Sequence, residues 1–206
     1  MTDLLVATTN SGKFTEFEAF LKGLPVHIIS LNDLQDPPKV AEDGKEYEEN
    51  ALKKARTLAE WSGYDTLADD SGLEVDALNG APGIHSARFS GAHGDDNANN
   101  SKLLEALRDV PEEKRNARFV CVLALCAPRS RGGRERTVSG SCEGFIGFAA
   151  KGTNGFGYDP LFFLPSLGTS FGEIDQQTKI TVSHRGKALK KLVEILSESL
   201  DVVEKP

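Results

Sequence analysis

Asp69 and Asp70 stand side by side at the end of the short apolar run Leu67-Ala68, directly before Ser71 and Gly72. Adjacent carboxylates at a strand end repel one another unless a cation or strong donors intervene. A hard divalent ion such as Mg2+, which takes oxygen ligands and favours phosphate, is the usual remedy. The competing reading is a capped turn, because Asp and Ser favour helix N-caps and Asx-turns.

Four other stretches carry residues of the right types. In LLVATTNSGKFTEF, a strand runs into the small hydroxyl and amide residues Thr8, Thr9, Asn10 and Ser11, then Gly12 and Lys13. Backbone N–H groups at the start of the following helix, with the Lys13 charge, suit an anion; an ordinary capped turn has the same look. The P-loop spacing is absent. In EDGKEYEENALKKA, Glu42 precedes a helix, whereas Glu48 and Glu49 fall in its first turn, where negative charge is favourable in any case. Glu46, Asn50 and Lys54 are spaced four apart and share a face. In NGFGYDPLFF, glycines allow close backbone approach and Phe156 or Tyr158 can stack on a flat ring, or pack into the core. Finally, His184, Arg185 and Lys187 put cationic groups at a helix start, against the macrodipole. That placement suggests an anion or acceptor-rich counterpart, with an exposed, inert His184 as the alternative.

These residues need elements to hold them. Leu4 to Ala7 reads as a buried parallel-type strand, and Phe14, Phe17, Phe20, Leu21 and Leu24 give a helical face from about Lys13. Val26 to Ile29 is a second strand and Leu31 to Gly44 a loop. Tyr47, Ala51, Ala55 and Leu58 predict a helix from Glu46 to Ser62. A short strand, Thr66 to Ala68, feeds the aspartate pair. Ala81 to Asp96 reads as irregular and Asn99 to Leu107 as helical. Arg118 to Ala127 and Thr137 to Cys142 are strands joined by an Arg129 to Arg136 hairpin turn. Leu161 to Leu164 is expected as the final strand. Ser183 starts the last helix, with Leu189, Leu192, Val193, Leu196 and Leu200 as its buried face. A mixed α/β architecture fits this order.

The 206 residues suit a single domain, 39% hydrophobic and 27% charged, as in an ordinary soluble protein. No apolar run approaches the ~20 residues of a membrane span. The amino terminus lacks a basic n-region, so a cytoplasmic location is expected. Cys121, Cys126 and Cys142 cannot all pair and lack metal-ligand spacing; Cys121 and Cys126 fall on opposite faces of a strand and read as small buried hydrophobes. A net charge of −7 without a basic stripe argues against a nucleic-acid groove, though a few lysines suffice for a nucleotide.

The strings ATTNSGKFTEF, EDGKEYEENALKKA, ADDSGLEVDALNGAPGIHSARFSG, GFGYDPLFF and SHRGKAL, in this order, closely resemble the inosine triphosphate pyrophosphatase (ITPase) family, whose bacterial members are dITP/XTP pyrophosphatases. The resemblance spans Ala7 to Leu189. It implies an elongated mixed α/β fold, a β-sheet flanked by helices, with two lobes and an active-site cleft between them, in a homodimer. It implies Mg2+-dependent hydrolysis of non-standard purine nucleoside triphosphates to the monophosphate and pyrophosphate, which removes deaminated purines from the nucleotide pool.

By position, Thr8, Thr9, Asn10, Ser11, Gly12 and Lys13 resemble the family's triphosphate-binding loop. Glu42 and Asp70 match its metal-linked carboxylates, and Asp70 its proton acceptor. Ser71, Phe156, Gly157, Tyr158, Asp159, Lys179, His184 and Arg185 match substrate contacts. Phe156 would stack on the purine, and Lys179, His184 and Arg185 would donate to the C6 oxygen of hypoxanthine or xanthine, where adenine presents a donor instead. Asp69 would support the metal shell or hold Asp70. His85 departs from a frequent Tyr, and the Arg129 to Arg136 hairpin is longer and more basic than usual. The rival readings are a Maf-type pyrophosphatase of other modified nucleotides and a nucleotide-binding protein that does not hydrolyse.

Overall fold

A computed structural model describes residues 2–201; the side chains of Thr2 and of residues 196–201 lie outside the described set, and with them the expected buried positions of Leu196 and Leu200. The strands are β1 (Thr2–Val6), β2 (Val26–Ser30), β3 (Asp65–Val75), β4 (Asn116–Cys126), β5 (Glu135–Ile146), β6 (Phe162–Leu164) and β7 (Thr169–Ser170). The helices are α1 (Ser11–Leu21), α2 (Tyr47–Ser62), α3 (Asp96–Ala106), α4 (Gln176–Val182) and α5 (His184–Asp201). The strands form one sheet in the order β2-β1-β3-β4-β5-β6-β7. β1 pairs in parallel with β2 and β3, and β6 is antiparallel to β5 and β7, so the sheet is mixed.

The described residues form two compact units: those within 1–70, 121–140 and 185–206 make the first, and 71–120 and 141–184 the second. In the first, the pleat explains the layering. Leu4 and Val6 join Phe17 and Leu21 of α1 and Ala188, Leu189 and Leu192 of α5 in one core. Leu5 and Ala7, on the other face, join Ala51, Ala55, Leu58 and Ala59 of α2 in another. A stretch of strand buried on both faces must be apolar at every position, as Leu4, Leu5 and Val6 of β1 are. Cys121 and Cys126 lie in these two opposite cores, buried and unpaired with one another, as their spacing predicts. The second unit packs around Phe119, Phe162 and Phe171, with Phe119 and Phe162 centroids 4.7 Å apart.

Several boundaries differ from the sequence expectation. β3 runs 11 residues and carries Asp69 and Asp70 in its interior, instead of ending before them in a turn. Ser11, not Lys13, opens α1. A short 3-10 turn, Gly83–Arg88, orders part of the segment read as irregular. β6 is followed by β7, and α4, capped by Asp175, precedes the last helix and contains Lys179.

Candidate active site

The extension of β3 changes the meaning of the aspartate pair. Successive side chains on a strand point to opposite faces. Asp69 follows Leu67 toward α1 and α5, and Asp70 follows Ala68 toward α2. The two carboxylates therefore meet different partners, and the repulsion that adjacency implied is relieved by the pleat. Because Val6 pairs with Leu67 and the Ala7 N–H donates to the Leu67 carbonyl, both aspartates lie just past the carboxyl end of β1. That end is where parallel α/β sheets bind ligands.

Asp69 is 2% exposed and heavily paired. It accepts from Lys13 Nζ, from Arg185 Nε at 3.0 Å and from the Cys121 thiol at 3.1 Å. Arg185 in turn pairs through Nη1 with Glu16, itself 5% exposed. Burial pushes the Asp69 carboxyl up, but the charges of Arg185 and Lys13 override it and hold the group well below the usual carboxylate range. Burial likewise pushes the Cys121 thiol well up, with the Asp69 charge adding to it, so the sulfur stays protonated and donates. Burial works against the Arg185 charge, yet Asp69 and Glu16 raise its pKa well above normal.

This arrangement corrects the expected origin of the cationic helix start. Arg185, 1% exposed, finds its counterpart in Asp69 and Glu16, carboxylates of the protein, rather than in an outside anion. It sits with the aspartates of the first unit. Its Nε and Nη1 are engaged by the Asp69 and Glu16 carboxylates.

Asp70 has a different setting. Asn50 Nδ2 of α2 donates to Oδ2 at 3.0 Å, and the Asn50 side-chain oxygen accepts from the Gly44 N–H at 2.8 Å. Lys54, one turn further, pairs with Glu42 and donates to the Asp69 carbonyl at 2.9 Å. Burial pushes the Asp70 carboxyl up to about 6 against the lowering effects of Lys54, Asn50 and Lys13, with Glu42 adding to the rise. Asn50 and Lys54 are the polar face of α2 visible in the sequence; Glu46 of the same face is the exposed N-cap residue.

The loop before α1 keeps its expected character. The Asn10 side chain caps the helix by accepting the Lys13 N–H at 2.9 Å, and Thr8 Oγ1 accepts the Asn10 N–H. Thr9, Asn10 and Ser11 are exposed, and Thr8, Gly12 and Lys13 half-buried. Ser71 is half-buried one residue past Asp70.

In the second unit, Phe156, Gly157, Asp159 and Lys179 are gathered around one loop. Asp159, 2% exposed, accepts from the Phe156 N–H at 2.8 Å and from Lys179 Nζ at 2.5 Å. That ammonium lies 4.6 Å from the Phe156 ring centroid. Tyr158 is a core residue whose hydroxyl donates to the Ser86 carbonyl at 2.9 Å, which leaves stacking to Phe156. His184 is 4% exposed and stacks on Phe119 with centroids 4.7 Å apart, which excludes an exposed bystander.

Sequence reasoning passed over Glu16 and Cys121 as members of the Asp69 cluster. Glu16 offered a weak signal, a carboxylate one residue before the core residue Phe17. Cys121 offered none beyond its burial. Among the described residues no group of three or more His, Cys, Asp or Glu side chains forms a ready metal cage. A pair of carboxylates does suit Mg2+, which takes one or two protein carboxylates together with substrate phosphates. Glu42 and Asp70 could supply such a donor set, since Asp70 lies near enough to Glu42 for the Glu42 charge to add to the rise of its pKa.

The fold and these two groups of residues define a mixed α/β protein with paired carboxylates and lysines at the end of a parallel strand and an aromatic–lysine loop. The model of the Ham1 family matches residues 4–195, and the chain belongs to that family. It is 53% identical over 196 residues to a dITP/XTP pyrophosphatase of Geobacter sulfurreducens, covering 95% of this chain and 97% of that protein. A dITP/XTP pyrophosphatase of Desulforamulus reducens is 50% identical over 194 residues, 94% and 95% of the two chains. Among solved structures, a HAM1 protein from Coxiella burnetii superimposes with a TM-score of 0.86 at 39% identity, over 96% of this chain and all of that one. A nucleoside-triphosphatase, dITP/XTP pyrophosphatase, from Mycobacterium abscessus gives 0.73 at 43% identity, over 95% and 100%.

Proposed function

We propose that the chain is a hydrolase that cleaves the non-standard purine nucleoside triphosphates dITP, ITP and XTP to the nucleoside monophosphate and pyrophosphate. The observation that carries this reading is the division of labour on β3: Asp69 is locked into ion pairs, whereas Asp70, one residue on, is a poised carboxyl. The names of relatives at 50% identity and above support the substrate class.

Asp70, held by Asn50, takes the proton of the water that attacks the α-phosphorus at Oδ1 or Oδ2. A carboxyl whose affinity for protons is raised is a better base than an exposed aspartate. Lys13 and the amides at the start of α1 bind the triphosphate, and Asp69 fixes the direction of the Lys13 ammonium. Glu16 and Arg185 act through Asp69, as positioning residues. Glu42 and Asp70 are the residues that would hold Mg2+, which when bound neutralises charge developing on the phosphates. Lys54 keeps Glu42 and the Asp69 backbone in place. The purine stacks on Phe156, and Lys179 presents a donor beside that ring. Asp159 orients both. A homodimer, as the family resemblance implies, and a cytoplasmic location, as the sequence leads one to expect, complete the proposal; sedimentation equilibrium tests the assembly.

The test of the reaction is pyrophosphate release from dITP and XTP against dATP and dGTP. Selective release supports the reading. Binding of dITP without release would favour a sensor that does not hydrolyse.

A further inference from the structure

Phe156 can serve as a stacking platform only if its backbone is held, because offset stacking depends on the ring plane. Glycines flank it on both sides, Gly155 and Gly157, with φ of +77° and +62°. Such a loop would be loose without partners. Asp159 takes the Phe156 N–H and its own N–H donates to the Phe156 carbonyl at 3.2 Å, but neither bond reaches the N–H or the carbonyl of Gly157. Two side chains of α3 do. The Gly157 N–H donates to Asp96 Oδ2 at 2.7 Å, and Asn100 Nδ2 donates to the Gly157 carbonyl at 2.9 Å. Asp96 and Asn100 are four apart and so share one face of α3. Both polar backbone groups of Gly157 are thereby taken by one helix, one of them by a charge-assisted bond. On the other side, the Asn154 N–H donates to the Gly172 carbonyl and its side chain to the Ile174 carbonyl.

We infer that Asp96 and Asn100 are specificity-positioning residues: they clamp Gly157 and so set the plane of the Phe156 ring that receives the purine. Neither residue touches the base in this scheme. Neither belongs to the strings that carry the family resemblance. The inference rests on the proposed purine stacking and adds the helix that makes the platform rigid. A ring held before binding loses less freedom on binding, so the clamp acts on affinity for the base.

The experiment compares Asp96→Ala, Asn100→Ala and Asp96→Asn with the unaltered protein, measuring kcat and KM for dITP and the inhibition constant of tripolyphosphate, a ligand with no base. The two alanine variants are expected to raise KM about tenfold with kcat within about twofold. Asp96→Asn, which retains an acceptor oxygen, should restore KM. Tripolyphosphate inhibition should not change in any of them. In a Phe156→Ala background, Asp96→Ala should add nothing, since the platform is already gone. Unchanged KM, or equal rises in KM and in the tripolyphosphate constant, or additive effects with Phe156→Ala, would overturn the clamp. If the unaltered protein fails to turn over dITP, the proposed function falls and the clamp with it. Turnover by that protein with indifferent variants removes the clamp alone.

Discussion

Asp69 and Asp70 differ by one position and respond to opposite forces. Asp70 has its carboxyl pushed up to about 6 by burial, so the folded protein holds that proton more tightly than the unfolded chain. Below the ordinary carboxylate value the group is neutral in both states and has no effect. Between that value and about 6 the unfolded chain gives up the proton while the folded one keeps it, so stability falls as pH rises, by about 3 kcal/mol once pH has passed about 6. We therefore predict that Asp70→Asn, in EDTA, raises the melting temperature at pH 8, and that the gain vanishes near pH 4. The same substitution should lower kcat by a factor of about 10^3, as loss of a general base does. Near-normal turnover at saturating Mg2+ would remove Asp70 from the chemistry.

Asp69 has the reverse sign. Its lowered pKa stabilises the fold above the ordinary carboxylate value, and that stability is lost as pH falls through the folded-state value. Asp69→Asn leaves Arg185 and Lys13 short of a charge partner in a buried site, and should destabilise by about 3 to 5 kcal/mol in denaturant titrations. An unchanged midpoint would show the cluster to be dispensable.

At the scale of elements, α1, α2, α3, α5 and the apolar strands were legible, because α2 shows its helical period and Leu4 to Val6 of β1 an unbroken apolar run. β3 was not. Its Asp-Asp-Ser-Gly interior has the composition of a turn, and local propensity points away from a strand. The strand survives because each carboxylate meets cations or amides from the helix on its own face, which is tertiary information. The site was legible to the same degree. Lys13, Glu42, Asp70 and Lys179 could be singled out by type and place, while the partnership of Arg185 with Glu16 and Asp69, 169 and 116 positions away, could not. α4 was missed because Gln176, Gln177 and Thr178 show no apolar period; its N-cap, Asp175, accepts the Thr178 N–H at 2.7 Å and was the available signal. The loop before α2 supplies a prediction at this scale. A Cβ on Gly44 would stand 2.7 Å from Asn50 Oδ1 and 2.9 Å from Glu49 Cβ. Gly44→Ala must displace Asn50 from Asp70, so kcat should fall several-fold with a loss of about 1 to 3 kcal/mol in stability. Unaltered kinetics in that variant would mean Asn50 does not hold the base.

At the scale of the molecule, an acidic chain of net charge −7 handles a polyanionic substrate by concentrating its cations. Lys13 and Lys54 stand among carboxylates in the first unit, and Lys179 beside Phe156 and Asp159 in the second. Each lysine has a carboxylate partner, so its charge is aimed rather than spread, and no basic surface is needed. Among the described residues no helix is long and apolar enough to cross a membrane. Selective, metal-dependent hydrolysis is the property that defines such a molecule. Pyrophosphate release should be measured from dITP, XTP, dATP and dGTP, each with Mg2+ and with EDTA. Rapid release from dITP and XTP alone, abolished by EDTA, is the predicted result. Equal release from all four, or release that persists in EDTA, would contradict it.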